Sequence, residues 1–353
     1  MVSTQADTSV QAEIPATMRA SVLVEIGRIE TEERPVPTPG PDDVLVEVAS
    51  VGVCGSDVHW YLEGHIGDRY LQGPIVLGHE CGGRIVAVGE RVAPARIGER
   101  VAIEPQRPCR RCRQCTVGRY NLCEHIQFYA TPPVDGAFCE YVTIGAEFAF
   151  GVPDSLSDDA AALLEPLSVA IASLRKGNLV PGGSVFIAGA GPIGVITAQA
   201  ARAFGAADII VSDPLGSRRE VVLRHGATQV LDPTTDDVTS LGVDVFIDAS
   251  GAAPAVSSGI AAVRPGGAAV LVGMGPADMP LPVALLQTRE VTVTGIFRYT
   301  DTWPTGIHFV ESGLVDLDAL VTAGYDLDHV QEALDADHEP ASLKSIVEPG
   351  RTS

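Results

Sequence analysis

The sequence predicts an α/β plus β protein, a small β-barrel followed by a doubly wound parallel sheet. Three observations predict it. The first third carries short apolar runs separated by proline- and glycine-rich turns, the texture of a barrel of short strands. Near residue 184 the pattern changes to apolar strand, glycine-rich turn and long helix, which is how parallel βαβ units read. The length, 353 residues, gives each half enough chain for its own core.

Bulk properties narrow the partners. The formal net charge is −21. Nucleic acid and anionic membranes both require a basic face, so neither is an expected partner. No apolar run approaches the roughly eighteen residues of a membrane helix. Met1 to Thr17 is polar and lacks a basic start followed by an apolar core, so it reads as a loosely ordered arm and not as a secretory signal. Lys176 and Lys344 are the only lysines. Seven cysteines, an odd number with four clustered, make a poor disulfide framework and good metal sites in a reducing cytoplasm.

Strands are expected at Arg19 to Val24 and Val44 to Val51, with the turn-rich Pro35 to Pro41 between them, then at Gly82 to Val88 and Arg100 to Glu104. Cys54 and His79 supply a soft thiolate and an imidazole, donors that zinc prefers, and Glu80 adds a carboxylate. Ser56 and His59 follow the cysteine at a distance that lets a hydroxyl and an imidazole pass a proton to water. His65 reads as an exposed loop residue. Trp60 is open between a pocket wall and core filling.

Cys109, Cys112, Cys115 and Cys123 lie within fifteen residues and are separated by polar Arg110, Arg111, Arg113 and Gln114. Four thiolates suit a closed tetrahedral zinc site with a structural role, in a lobe spanning about 105 to 124. Cys81 and Cys139 stand outside any metal spacing and read as small buried hydrophobes. Strand texture returns over Asp135 to Val142. Ser157 to Arg175 is helix-like, with Asp158 and Asp159 in its first turn. Glu165-Pro166 sits inside it, and a carboxylate in an apolar segment is expensive to bury unless paired or metal-bound. The residue alone leaves a structural ion pair and a metal contact both open.

The second half opens with the strand Ser184 to Ala188, the turn Gly189-Ala190-Gly191-Pro192-Ile193-Gly194, a helix to about Phe204 and the strand Ile209 to Val211 ending near Asp213. In that context the glycines permit a tight turn and close approach of N–H groups to a pyrophosphate. Asp213 accepts hydrogen bonds from a ribose 2′-hydroxyl and repels a 2′-phosphate, which selects NAD over NADP. Arg218 and Arg219 are the counter-argument, since guanidinium grips phosphate. With Asp213 present, Arg218 reads as a neighbour of the adenosine ribose. Further strands are expected at Val243 to Ala249, Ala269 to Gly273 and Val291 to Phe297, and a helix at Pro254 to Val263 closed by Arg264-Pro265-Gly266-Gly267. Val272-Gly273-Met274 and Ile296-Phe297-Arg298 lie at strand ends, where such sheets place ligands, and are candidate nicotinamide contacts. Arg298 and Tyr299 offer a cation and a phenol at the junction. A C-terminal helix is expected over Asp326 to Leu334 and a closing strand over Ser345 to Val347.

Gly52-Val53-Cys54-Gly55-Ser56-Asp57-Val58-His59 with Gly78-His79-Glu80 resembles the zinc-dependent medium-chain alcohol dehydrogenases. Leu164-Glu165-Pro166-Leu167-Ser168 and the stretch around Arg298-Tyr299 are similar to their polyol (sorbitol and xylitol) branch. Trp60 departs from it, since that branch usually has tyrosine there. The resemblance implies a GroES-like catalytic domain over 18–167, a Rossmann NAD-binding domain over 168–300 and a return to the catalytic domain over 301–353. It implies two zinc ions per chain, with Cys54, His79 and Glu80 as catalytic ligands, and Glu165 on the metal or on its water. Arg298 and Tyr299 would contact substrate or orient Glu165, and the assembly would be a homotetramer.

The expected reaction is reversible oxidation of a polyol's secondary hydroxyl to a ketose, with hydride passed to NAD. Zinc lowers the pKa of the oxygen it holds from about 16 to about 7. Butanediol, threonine or simple secondary alcohols are alternative substrates on the same fold. A catalytically silent NAD-binding protein is the alternative of another class.

Overall fold

The computed structural model describes residues 14–336, 339 and 342–351. Residues 1–13, most of the expected N-terminal arm, lie outside the described residues.

The first half is built on the strand Asp43–Gly52, whose valines 44, 46 and 48 are buried. It lies inside a seven-stranded sheet, antiparallel to Glu80–Val88 on one side, with Tyr141–Gly145 and Lys344–Val347 pairing along the other. A three-stranded sheet formed by Arg28–Pro35, Thr17–Glu25 and Ile75–Val76 packs beside it. Ala20, Leu77, Ile85, Val101 and Phe138 share one core between the two sheets.

Three details differ from the sequence expectation. Arg28–Pro35 is a strand, missed because its repeated glutamates offer no apolar alternation. Within Asp135 to Val142 only the end is regular strand, as Tyr141–Gly145; Cys139 makes a single bridge to Ala20. The expected helix from Ser157 to Arg175 is two helices, Asp158–Ala162 and Leu164–Lys176, separated at Leu163. Pro166 explains the break. Proline has no N–H and its ring clashes with the carbonyl four residues back, so it is tolerated only in a first turn. Restarting the helix at Leu164 puts it there.

The second half is a six-stranded parallel sheet in the order Gln229–Leu231, Asp208–Ser212, Ser184–Ala188, Val243–Asp248, Val263–Leu271, Thr292–Gly295. Numbered along the chain this is 3-2-1-4-5-6, the doubly wound order. Its central strands Asp208–Ser212, Ser184–Ala188 and Val243–Asp248 are buried on both faces, as parallel strands covered by helices must be. Arg264-Pro265-Gly266-Gly267, expected as a closing turn, is absorbed into the fifth strand as an irregularity in its register.

The chain then returns. Lys344–Val347 pairs antiparallel with the Val51–Gly52 end of the central strand, and Gly52 pairs with Glu80 on the other side. Residues separated by hundreds of positions therefore meet at one end of the first sheet. Among the described residues no helix is long and apolar enough to cross a membrane.

Candidate active site

Cys54 precedes the helix Gly55–Glu63, and His79 and Glu80 stand where the chain enters the strand Glu80–Val88. Asp57, three residues after Cys54, ties the two pieces together. This fully buried carboxylate accepts from Cys54 N at 3.1 Å and Gly78 N at 3.0 Å, and lies 3.5 Å from His79 Nδ1. Gly78 has φ +85°, and a side chain there would run into the Phe138 ring. The result brings donor atoms of Cys54, His79 and Glu80 within 4.8 Å of one another. Burial works against charge on His79, yet Asp57 and Cys54 beside it raise its pKa well above the usual imidazole value.

Glu80 has a partner that no local pattern announced. Lys344 Nζ donates to both of its oxygens, at 2.5 and 2.6 Å, and to Val53 O at 2.7 Å. Burial pushes Glu80 up to about 7; Lys344 opposes this and Glu165 adds to it. A carboxylate has about four lone-pair sites, so the lysine leaves capacity for a metal. A thiolate, an imidazole and a carboxylate converging on a cavity form a donor set that zinc fits, with a position left open for substrate.

That cavity, of about 460 Å³, is lined by residues of both halves of the chain. Cys54, Ser56, Trp60, His79, Glu80 and Glu165 line it from the first half and from the helix Leu164–Lys176. Ile193, Val272, Gly273, Met274, Ile296, Phe297 and Arg298 line it from the second. Trp60 is both buried and part of the wall. Glu165 is outside the group of mutually close donors but faces the same cavity.

Tyr299 does not line the cavity. It is buried behind Glu165, and its hydroxyl donates to Glu165 Oε1 at 2.5 Å. Burial and Glu165 push its pKa far up, so the phenol keeps the proton it donates. His59 is likewise not part of the lining. It stands one helical turn beyond Ser56, half exposed, with Nδ1 2.9 Å from Glu63 Oε1.

The glycine-rich turn forms a cradle. Gly189 has φ +100°, and a Cβ on Gly194 would lie 1.9 Å from Gly189 O. Gly191 faces open space except for Arg218, at 3.8 Å from where its Cβ would be. Pro192 starts the following helix. Asp213, buried at its strand end, accepts from Ala190 N at 2.9 Å and Leu215 N at 2.8 Å. Arg218 Nε is buried without a hydrogen-bond partner, and Arg219 donates to Asp213 O. Open space over Gly191 with a carboxylate at the next strand end fits a dinucleotide.

The four lobe cysteines also converge, with sulfurs within 4.8 Å of one another. Backbone N–H groups of Cys109 and His125 point at Cys123 Sγ, and that of Cys112 at Cys109 Sγ. Such bonds hold Cys112 down at about 6, the Cys115 amide contributing most, while burial and the neighbouring thiols push Cys115 up to about 12. Thiolates supported by amides are the donor set of a closed zinc site.

Asp57, Lys344, Arg69 and Phe128 are site residues that sequence reasoning missed. Only Asp57 left a signal, an acidic residue in the first helical turn three positions after Cys54. Arg69 lines the cavity from the hairpin His65–Ile66/Arg69–Tyr70. The Phe128 ring lies under the Arg298 guanidinium at 3.6 Å and 5.6 Å from the His79 ring.

Comparison with known proteins agrees with this geometry. Residues 40–154 match the alcohol dehydrogenase GroES-like domain, and residues 192–312 match the zinc-binding dehydrogenase family. The chain belongs to the zinc-containing medium-chain alcohol dehydrogenases. It is 42% identical to a sorbitol dehydrogenase of Bacillus subtilis, over 96% of this chain and 99% of that one. It is 38% identical to a probable D-xylulose reductase A of Aspergillus fumigatus, over 92% and 95% of the two chains. A zinc-binding dehydrogenase from Sinorhizobium meliloti, solved with NADP bound, superposes with a TM-score of 0.88 at 30% identity, over 95% of this chain and all of that one.

Proposed function

We propose that the protein is an NAD- and zinc-dependent polyol dehydrogenase that oxidises a secondary hydroxyl to a ketose. The observation that carries this reading is Glu165, a carboxylate facing the cavity of Cys54 and His79 and held there by the Tyr299 phenol. The likeness to a sorbitol dehydrogenase and a D-xylulose reductase supports it. We assign 18–167 and 301–353 to the catalytic unit, 168–300 to the NAD-binding unit, and the four-cysteine site to a structural role.

Zinc held by Cys54, His79 and Glu80 would supply Lewis-acid polarisation of the substrate hydroxyl, and NAD would supply the hydride acceptor. The chain's own residues do the rest. Asp57 fixes the orientation of His79, as a carboxylate behind a ligating imidazole does. Tyr299 fixes Glu165, so the carboxylate keeps its aim when substrate enters. Ser56 takes the hydroxyl proton at the cavity wall, and His59 passes it to solvent beside Glu63. Val272, Met274 and Phe297 wall the nicotinamide side with apolar surface. Asp213 would receive the adenosine ribose hydroxyl and disfavour a 2′-phosphate.

The test is NAD reduction by metal-analysed protein across sorbitol, xylitol, both arabitols, 2,3-butanediol and threonine. Turnover of polyols with about two zinc per chain supports the reading. Activity confined to butanediol or threonine would show that Glu165 and Arg298-Tyr299 do not mark a polyol site. Asp213→Ser should narrow the preference for NAD over NADP, and an unchanged ratio removes Asp213 from that role.

A further inference from the structure

The cavity holds one arginine, the exposed Arg69, beyond the Arg298-Tyr299 pair on which the polyol reading already rests. Arg69 and Arg298 both line it, one from the hairpin of the first half and one from the strand end of the second. Some arginines of this acidic chain meet carboxylates, as Arg19, Arg34, Arg100, Arg107 and Arg219 do. Among the described residues neither Arg69 nor Arg298 has a carboxylate in salt-bridge range. Of the cavity's own acids, Glu80 is paired with the Lys344 ammonium, while Glu165 accepts a hydrogen bond from the Tyr299 phenol, which carries no charge.

Arg298 is poised. Its backbone sits at φ 57°, a left-handed conformation uncommon for a residue with a side chain. Its guanidinium stacks on Phe128 at 3.6 Å and Phe297 at 4.7 Å. Stacking occupies the faces of the plane and leaves its N–H edge free. Nη1 is buried with no hydrogen-bond partner. Burial brings its pKa down to about 10; Tyr299 and Glu165 oppose this and Arg69 adds to it, so the two cations feel each other. Glu165 is near enough to offset part of this charge but makes no ion pair with Arg298, so the buried Nη1 keeps an unmet donor. A guanidinium edge matches the paired oxygens of a carboxylate or phosphate.

We infer that the preferred substrate carries an anionic group at one end of its hydroxylated chain, a phosphate monoester or a carboxylate, gripped by Arg69 and Arg298. This rests on the polyol dehydrogenase reading and narrows it. The reaction is unchanged: the secondary hydroxyl loses a proton and a hydride, and the anionic terminus anchors the far end.

The test compares three substrates with one carbon chain, sorbitol, sorbitol 6-phosphate and gluconate, on the zinc-loaded enzyme with NAD. The expected result is kcat/KM higher by about tenfold or more for one of the charged compounds, shrinking with added salt as an ion pair does. Whichever of the two is preferred identifies phosphate or carboxylate as the group. Arg69→Ala should remove most of that preference, while Arg69→Lys should keep part of it. Calorimetric binding of the preferred anion to the enzyme–NADH complex should weaken in parallel. Equal or better turnover of sorbitol overturns the inference and leaves the polyol reading standing. An Arg69→Ala effect confined to KM for NAD overturns it too, since the charge then serves the cofactor. Failure of all three, with butanediol or threonine oxidised instead, overturns both.

Discussion

The protein contains two metal-binding constellations that use the same element for opposite ends. In the lobe, four thiols converge within fifteen residues of chain, with backbone N–H groups turned toward the sulfurs. At the other centre, donors 25 residues apart in sequence converge on a cavity of about 460 Å³. The lobe can be assembled by one short loop. The second centre needs a helix start, a strand start, a returning C-terminal strand that carries Lys344, and a helix from the domain junction that carries Glu165. On the proposed reading, what separates the structural site from the reactive one is the fourth position: filled by protein in the lobe, left to substrate in the cavity.

The sharpest way to separate the two is to disable each in turn. His79→Ala should lower turnover by about a thousandfold or more, because the polarising metal loses a ligand, with little change in melting temperature. Cys112→Ser should do the reverse, dropping zinc from two per chain to one and lowering Tm by roughly 5–10 °C. Equal effects of both variants on Tm would erase the distinction. Next in size is Tyr299→Phe, which keeps the ring against Trp303 but releases Glu165. Loss of a hydrogen bond that orients a group beside a metal lowers activity by about 10–100-fold, and unchanged kcat would remove Tyr299 from any positioning role.

Smaller effects probe the periphery of each centre. His59→Ala should slow alcohol oxidation about tenfold near pH 6 and less near pH 9, because hydroxide can then take the proton directly. A uniform loss at all pH values argues against the relay. The lobe is also tied to the cavity: Asn121 Nδ2 donates to Phe297 O at 2.7 Å, and Asp301 N donates to the Tyr120 hydroxyl at 2.9 Å. These bonds bracket Arg298 and Tyr299. Asn121→Ala should therefore raise KM for the polyol by about two- to fivefold, the worth of one neutral hydrogen bond, with zinc content unchanged.

Local chemistry was legible in the sequence and long-range company was not. The dinucleotide turn could be read because each glycine answers a local demand, as Gly194 does against Gly189 O. The lobe could be read because its donors are neighbours in the chain. The Glu80–Lys344 pair could not, since it spans 264 residues and depends on which strand returns beside Gly52. Nor could Phe128 beneath Arg298, because an isolated phenylalanine looks the same in any core. Arg69 carries no local signal, and only the hairpin's position over the cavity gives it meaning. The broken helix at Leu163 was foreshadowed by Pro166, and the expectation of one continuous helix underweighted it.

The most direct measurement follows zinc release, NAD-dependent polyol oxidation and unfolding on one sample during stepwise chelation. The account predicts that turnover disappears with the first equivalent of zinc while the chain stays folded, and that Tm falls only with the second. Activity surviving loss of the first equivalent, or activity and fold disappearing together, would contradict the division of labour between the cavity and the lobe.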